Sequence, residues 1–176
     1  LADGYNDPTN APLMGHTSVI SAREVVESYE ESIGNGMRAF LFFVEDAFAG
    51  DGDLRNPRGT PGESNALRMS RGHTAEFAFM IAVPSAQGKG LGTRFAAMLH
   101  MFGFRDLCLS RIYASVVPQN TASLRAFEKL GYIRDDSAEA RQYAEDPGDI
   151  TLSIAREPFL DKYRALYDEI TIGARP

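Results

Sequence analysis

The segment VPSAQGKGLGT, residues 83–93, decides the fold of this chain. It follows the most strand-like stretch of the sequence, TAEFAFMIAV (74–83), and precedes an amphipathic stretch, 91–107, with apolar residues at spacings of three and four. Three alternate glycines lie in the turn between them. Glycine lets backbone amides approach a bulky anion, and a helix start adds unpaired N–H groups and a positive dipole end. The segment therefore predicts a pyrophosphate cradle, with Lys89 and Arg94 as added charge.

Two other phosphate loops do not fit this segment. A Walker A loop needs Ser or Thr after its lysine, but Lys89 is followed by Gly90. A dinucleotide-binding turn needs G-x-G-x-x-G, whereas the glycines here are spaced G-x-G-x-G. The spacing thus excludes both readings on its own letters.

The rest of the chain predicts strands in runs as well as in β-α-β alternation, which indicates a mixed sheet. Ser21 with Glu24 forms a capping box for a first helix, and Gly131 ends a later one. The predicted helices are 21–33, 91–107, 120–130 and 158–170. The predicted strands are 40–46, 52–55, 74–83, 111–117, 132–134 and 149–156.

Composition limits the classes of protein that fit. The chain has 176 residues, 44% of them apolar and 24% charged, with a formal net charge of −6. These values predict one folded domain over 1–176, with a long loop insertion at 56–72. The negative charge argues against nucleic-acid binding, and no apolar run is long enough to span a membrane. The single Cys108 and three scattered histidines predict no disulfide, no zinc site and a reducing, cytoplasmic location.

Two blocks of sequence together resemble the GNAT superfamily of N-acetyltransferases. QGKGLG (87–92) resembles the acetyl-CoA loop of that family, and NTASLRAFEKLGY (120–132) resembles its next block. EFAFMI (76–81) is similar to the acidic start of the fourth family strand. NDP near the start, followed by the Ser21 helix, looks like the subgroup of ribosomal-protein-alanine and spermidine acetyltransferases.

The resemblance implies a mixed α+β fold. Its central sheet is mostly antiparallel, flanked by helices, and splayed between the fourth and fifth family strands, here 74–83 and 111–117. The first family strand normally precedes the NDP segment and is missing. We therefore expect the sequence to begin after that strand.

The resemblance also implies where acetyl-CoA binds as the co-substrate. Backbone groups at the end of the fourth strand would bind the pantetheine arm, as an added strand would. Residues of the glycine loop would hold the pyrophosphate, and the helix after it in the family pattern would add side chains near the pantetheine. The implied cofactor residues are Ile81, Ala82, Val83, Gln87, Gly88, Lys89, Gly90, Leu91, Gly92, Thr93, Asn120, Ser123 and Arg125; no metal is implied. Asn120 is also a candidate helix N-cap, and the two roles can coexist.

The implied reaction is direct attack of a primary amine on the thioester, for which a base must take a proton. Glu76 stands at the usual base position of the family, and burial would raise its pKa. Other acids of the chain are alternatives, namely Asp135, Asp136, Glu139 and Glu145. Phe127 stands where many relatives have a tyrosine acid, so Ser123 is the expected donor to the departing thiolate. Tyr132 is expected in the core.

The function that follows is an acetyl-CoA-dependent N-acetyltransferase. Its partners would be acetyl-CoA and an amine acceptor, either a small molecule or a protein N-terminus, without nucleic acid or membrane, and a homodimer is left open. Two alternatives remain at this point. A GNAT-like module could hold CoA or acyl-CoA without turnover, which Phe127 favours, or the enzyme could transfer a longer acyl group.

Overall fold

The described residues of this protein form a six-stranded sheet, ordered β1-β2-β3-β4-β6-β5. The structure is a computed structural model that describes residues 1–15, 18–55 and 74–170; the expected loop at 56–72 lies outside those residues. The strands are β1 Arg38–Val44, β2 Ala47–Arg55, β3 Thr74–Ile81, β4 Arg111–Val116, β5 Ile133–Arg134 and β6 Ile150–Ala155. Strand β2 is longer than the predicted 52–55, because it pairs along both edges. Its two glycines and its acidic residues are typical of a loop, so the sequence did not indicate its full length.

The sheet is mixed, with a single parallel pair among its described strands. Neighbours pair antiparallel except β3 and β4, which run parallel. That parallel pairing covers only three residue pairs, from Thr74↔Arg111 to Glu76↔Tyr113. Beyond Glu76 the two strands separate, so the sheet splays open toward the carboxyl end of β3. The predicted mixed, mostly antiparallel and splayed sheet is confirmed.

Six α-helices accompany the sheet in the described residues: α1 Ala2–Asn6, α2 Ala22–Gly34, α3 Leu91–Met101, α4 Thr121–Leu130, α5 Ala138–Arg141 and α6 Arg156–Lys162. The capping box that was predicted for α2 is present in full. The predicted helix 91–107 is α-helical only to Met101 and continues as a π-helical turn, Phe102–Asp106. The predicted helix 158–170 is α6 followed by a 3-10 turn, Arg164–Leu166.

One face of the sheet packs on α3 through aromatic side chains. Phe42 of β1 stacks on Phe95 of α3 with ring centroids 4.3 Å apart. Phe77 and Phe79 of β3 stack on each other, and both meet the edge of Phe127 from α4. These rings join a continuous buried cluster that contains most of the core. Burial of large aromatic surfaces is the main term that holds α3 and α4 on this face.

The opposite face of the sheet carries charge. Alternate residues of a strand point to opposite faces, so Glu76, Ala78 and Met80 lie together on the face away from the aromatic rings. The register pairs Asp51 with Met80, Asp53 with Ala78 and Arg55 with Glu76, which brings the three β2 residues to the same face. Helices α1 and α2 reach this face through Tyr5 and Tyr29. The charged face under these two helices is where the site lies.

Candidate active site

A cavity of about 310 Å3 opens where β3 and β4 separate. Such a volume is at the lower end of that of small-molecule sites. Its walls come from the N-terminal segment, from α2, from the charged face of β2 and β3, from the end of β4 and from α4. Its charged lining residues are Asp51, Asp53, Arg55, Glu76, Glu145 and Asp149. The two expected catalytic residues, Glu76 and Ser123, both line this cavity.

Glu76 is the most deeply buried carboxyl group of the cavity, with 2% of its surface exposed. Burial raises its pKa to about 7, and the negative charges of Glu145 and Asp53 act in the same direction. Arg55 opposes this shift, since its Nε lies 3.4 Å from Oε2 of Glu76. A carboxyl group that titrates near neutral pH can accept a proton and release it again. Glu76 therefore has the properties of a general base.

Arg55 connects the carboxylates around Glu76. Its guanidinium also lies 3.0 Å from Glu145 and 3.6 Å from Asp53. Burial raises the pKa of Asp53 to about 6, although the charge of Arg55 lowers it. Among the residues that the structure describes, the cavity thus holds one guanidinium and five carboxyl groups, and the sum of these charges favours a cationic ligand.

A second carboxyl group, Asp51, lies further along β2 and is held by two tyrosines. The hydroxyls of Tyr5 and Tyr29 both donate to its Oδ2, the first at 2.8 Å, and lie 3.1 Å from each other. Burial raises the pKa of Asp51, and these two hydrogen bonds lower it. The arrangement fixes the orientation of one carboxylate oxygen and directs the residue into the cavity.

The glycine loop after β3 has the backbone conformation that only glycine adopts easily. Gly88 and Gly90 have φ values of +72° and +77°, and a Cβ on either would point into open space. Gly90 is the N-cap of α3, and the first helical hydrogen bond runs from the N–H of Arg94 to its carbonyl. The N–H groups of Leu91, Gly92 and Thr93 therefore have no acceptor within the helix and can bind an anion.

Gly92 serves a different purpose from the other two glycines. A Cβ at this position would lie 2.9 Å from the ring of Phe79, so its absence lets α3 approach β3 closely. All three glycines were expected to let a ligand approach the backbone. The structure separates them: two shape the turn, and the third fixes the distance between the helix and the strand. Lys89 and Arg94 are both exposed at this end of α3.

The end of β3 is tied to the loop and to the N-terminal segment. Gln87 donates from its side chain to the carbonyl of Ile81 at 2.9 Å and to Oδ1 of Asn10 at 3.0 Å. Buried Asn10 in turn donates to the carbonyl of Ala82. The amides of Ala82 and Val83 both donate to the carbonyl of Ala49, on the β2 side. Because the directions of backbone N–H and C=O groups alternate along a strand, the N–H and C=O of Ile81 point away from β2 and toward the splay.

Helix α4 brings Asn120 and Ser123 to the opposite wall of the cavity. The side-chain oxygen of Asn120 accepts from the amide of Ser123, so Asn120 is the N-cap of α4, and its amide nitrogen donates to the carbonyl of Leu13. Ser123 is half-buried, which leaves its hydroxyl at the cavity wall. Arg125 lies on the same helix, is exposed, and does not line the cavity.

Phe127 and Tyr132 lie in the core beneath the site. Phe127 is 3% exposed and meets the edges of three other aromatic rings, while one edge of it reaches the cavity. Tyr132 packs in the core, as expected, and its hydroxyl lies 2.5 Å from Nε2 of His100. Burial lowers the pKa of His100 to about 4, so the imidazole is neutral and accepts this hydrogen bond.

Of the four alternative acids, only Glu145 lines the cavity. Asp135 accepts from Ser153 and pairs with Arg111, and Asp136 pairs with Arg134 and Arg141. Sequence reasoning missed the residues of β2 and the two tyrosines. One signal was present, because D-x-D-x-R at 51–55 places three charged residues on one face of a strand.

A splayed mixed sheet, a glycine turn at a helix N-terminus and a buried carboxyl group beside the splay define a protein of the acyltransferase class. The sequence profile described as "Acetyltransferase (GNAT) domain" matches residues 4–133. The chain therefore belongs to the GNAT acetyltransferase domain family.

Curated relatives match a part of the chain. An N-acetyltransferase 9-like protein of Nematostella vectensis is 36% identical over 67 residues, which is 38% of this chain and 34% of that protein. The spermidine N(1)-acetyltransferase of Escherichia coli K12 is 40% identical over 58 residues, 33% of this chain and 31% of that enzyme. The matched stretch thus spans about a third of these relatives.

Solved structures share the fold over most of the chain. The spermidine N-acetyltransferase of Vibrio cholerae, in complex with CoA and spermine, has a TM-score of 0.69 at 20% identity, covering 90% of this chain and 89% of that one. An aminoglycoside acetyltransferase in complex with coenzyme A has a TM-score of 0.72 at 18% identity, covering 93% and 91%. At these identities the likeness concerns the fold.

The described residues contain neither a membrane-spanning helix nor a metal-binding cluster. Within residues 1–15, 18–55 and 74–170, no helix has the length and apolar character needed to cross a membrane. In the same part of the chain, no group of three or more His, Cys, Asp or Glu residues is arranged to hold a metal ion.

Proposed function

We propose that this chain transfers an acetyl group from acetyl-CoA to a primary amine by direct attack of the amine on the thioester. The observation that carries the proposal is Glu76, a buried carboxyl group with a pKa of about 7 at the point where β3 and β4 separate. The relatives named above as amine acetyltransferases, and the fold neighbours in complex with CoA, support the same reaction. A cytoplasmic location is part of the proposal, and the homodimer is left open.

The cofactor would enter the splay from the side of the glycine loop. The free N–H groups at the start of α3 bind the pyrophosphate, and Lys89 and Arg94 add charge. The pantetheine arm runs along β3 from Ile81, whose backbone N–H faces the splay, toward Glu76. Asn120 and Ser123 line the opposite side of this path. The thioester then lies between Ser123 and Glu76.

The chemistry begins with an ammonium group, which has no lone pair to attack with. Glu76, directly or through water, takes one proton, and the amine nitrogen forms a bond to the carbonyl carbon of the thioester. The C–S bond then breaks, and the CoA thiolate leaves with a hydrogen bond from the hydroxyl of Ser123. The nitrogen gives its second proton to the thiolate, directly or through water, and Glu76 releases the first proton to solvent. The products are the acetylated amine, CoA with a free thiol, and one proton.

An acetyl-CoA turnover screen over primary amines tests this function, with release of free thiol as the readout. We expect thiol release with at least one amine, and loss of it in Glu76→Gln at unchanged CoA affinity. Only a rate loss at intact affinity implicates the chemical step. Absence of turnover with every amine, small molecule or peptide N-terminus, would refute the proposal.

A second candidate is a module that binds CoA or an acyl-CoA without turnover. It is favoured by Phe127, whose ring has no hydroxyl to donate to a departing thiolate and is packed among other aromatic rings. The two candidates differ in thiol release, since the module would raise its melting temperature with CoA but release no thiol. A series of acyl-CoA donors with longer chains separates the third case, transfer of a larger acyl group.

A further inference from the structure

We propose that the acceptor carries a second cationic amine, which binds at Asp51 and Asp53 while the amine to be acetylated lies beside Glu76. The proposal rests on the proposed function, because it concerns the acceptor of that reaction. It makes Asp51, with the two tyrosines that hold it, a residue that determines acceptor specificity.

Two buried carboxylate oxygens of β2 have no hydrogen-bond partner among the described residues. Asp51 is 3% exposed and Asp53 is 6% exposed, and both line the cavity. Among the residues that the structure describes, Oδ1 of each is a buried side-chain oxygen without a hydrogen bond. The Nε of Arg55 is 3.6 Å from Oδ1 of Asp53, which is too long for one. A buried carboxylate without a donor is costly, so both oxygens point to a ligand that donates.

The charge that Arg55 supplies is shared with other residues at the far end of this row. Its guanidinium lies within 3.4 Å of Glu76 and 3.0 Å of Glu145. Asp51, four residues away on the same strand, accepts hydrogen bonds from the two tyrosines. Among the described residues, no Lys or Arg side chain forms an ion pair with Asp51, so a ligand that brings one positive charge to Glu76 leaves Asp51 without a side-chain counter-charge. A second ammonium, with three N–H donors, can satisfy both Oδ1 atoms at once.

The spacing along the sheet sets the length of this ligand. Asp53 and Asp51 lie two and four residues from Arg55, the cross-strand partner of Glu76. At about 3.3 Å a residue, the second cation lies roughly 7–13 Å along the sheet from the base. Apolar side chains of Ala78, Met80 and Val25 line the cavity too and can contact methylene groups. The geometry therefore fits an aliphatic diamine better than a monoamine.

A series of acceptors tests the inference on the full chain. We measure kcat/KM by thiol release for diamines from 1,2-diaminoethane to 1,8-diaminooctane, beside butylamine and hexylamine. A hydrogen bond to a charged group contributes about 1.5–3 kcal/mol, so the best diamine should exceed the monoamine of equal length by roughly 10–100-fold. The advantage should pass through a maximum at intermediate length, because short diamines cannot reach both carboxylates.

The variant Asp51→Asn keeps the size of the side chain and removes its charge. We expect the diamine advantage over the monoamine to fall to about parity, because the second ammonium loses its charged partner. The control Asp46→Asn removes one charge from the exposed β1–β2 turn and should keep the advantage. A melting-temperature shift with CoA shows that each variant is folded.

The outcomes separate this inference from the function on which it rests. Equal kcat/KM for diamines and monoamines in the parent protein overturns the second subsite and leaves the acetyltransferase intact, whatever the variant does. A diamine advantage that survives in folded Asp51→Asn overturns it as well. If no amine is acetylated, the function fails, and calorimetric titration of the CoA-bound protein with 1,4-diaminobutane decides the subsite alone. Absence of binding there, or equal binding by Asp51→Asn, refutes it.

Discussion

Replacement of Glu76 by Gln should change both the rate of turnover and its dependence on pH. The carboxyl group is 2% exposed and has a pKa of about 7, so about half of the protein holds the base in its ionised form at pH 7. At pH 6 that fraction is about one tenth, and kcat at saturating acceptor should fall tenfold from its plateau. Glu76→Gln keeps the side-chain volume and removes the base, so kcat should fall by roughly 10²–10⁴.

The assay is thiol release at saturating acetyl-CoA and acceptor between pH 5.5 and 8.5, because kcat reports groups in the bound complex. Glu145→Gln is the matched control. Since the negative charge of Glu145 raises the pKa of Glu76, its loss should move the midpoint of the profile to lower pH and keep the plateau. The assignment is refuted if Glu76→Gln turns over at the parent rate across this range. In that case Glu145 is the next candidate, because it also lines the cavity.

Three further outcomes can be measured. CoA should raise the melting temperature of the parent protein. Gly90→Asp should abolish this rise, whereas Gly90→Asn, which has the same shape without the charge, should keep more of it. An equal rise in both variants would show that the loop does not bind the phosphates. Ser123→Ala should lower kcat less than Glu76→Gln does, because a thiolate can leave with help from water. Adding Phe127→Tyr should not restore the kcat that Ser123→Ala loses if the ring stays in the core. Burial raises the pKa of Glu76 above its ordinary 4.5, so this carboxyl group stabilises the folded state below pH 4.5, and the stabilisation is lost as the pH rises through about 7. In urea unfolding, the free energy of unfolding should fall by about 3 kcal/mol over this range, and Glu76→Gln should abolish that fall. A difference in unfolding free energy between the two proteins that does not change with pH would contradict this.

Local signals in the sequence predicted the elements that depend on local interactions. Ser21 and Glu24 form their capping box, Asn120 caps α4, and Gly131 ends that helix in the left-handed conformation. These residues act within one helical turn, so their spacing is visible in the sequence. Helix α1 was not predicted because it has five residues and no side-chain cap. The π-helical turn at 102–106 was missed because its apolar spacing continues that of α3.

The site was predictable on the side that resembles a known family and not on the other. Glu76, Asn120, Ser123 and the glycine loop come from contiguous blocks. The first three line one cavity, and the loop leads from β3 into the N-terminus of α3. Asp51 and Tyr29 come from distant elements, and the sequence around either residue does not indicate that the two form a hydrogen bond. Their meeting depends on how α2 crosses β2, which is set by tertiary packing. A buried acidic strand reads as a polar loop until its partners are known.

The three residue pairs that join β3 to β4 have a consequence for how the protein opens. The sheet consists of two antiparallel halves, β1–β3 and β4–β6, with a short seam between them. Beyond that seam, the two halves are held by the helices and side chains that pack across them. A ligand arm lying along β3 in the splay would lengthen the seam as an extra strand does. Amide hydrogen exchange should then slow throughout β4 when CoA is bound, including at residues that the cofactor does not touch, because the two halves would open as one unit.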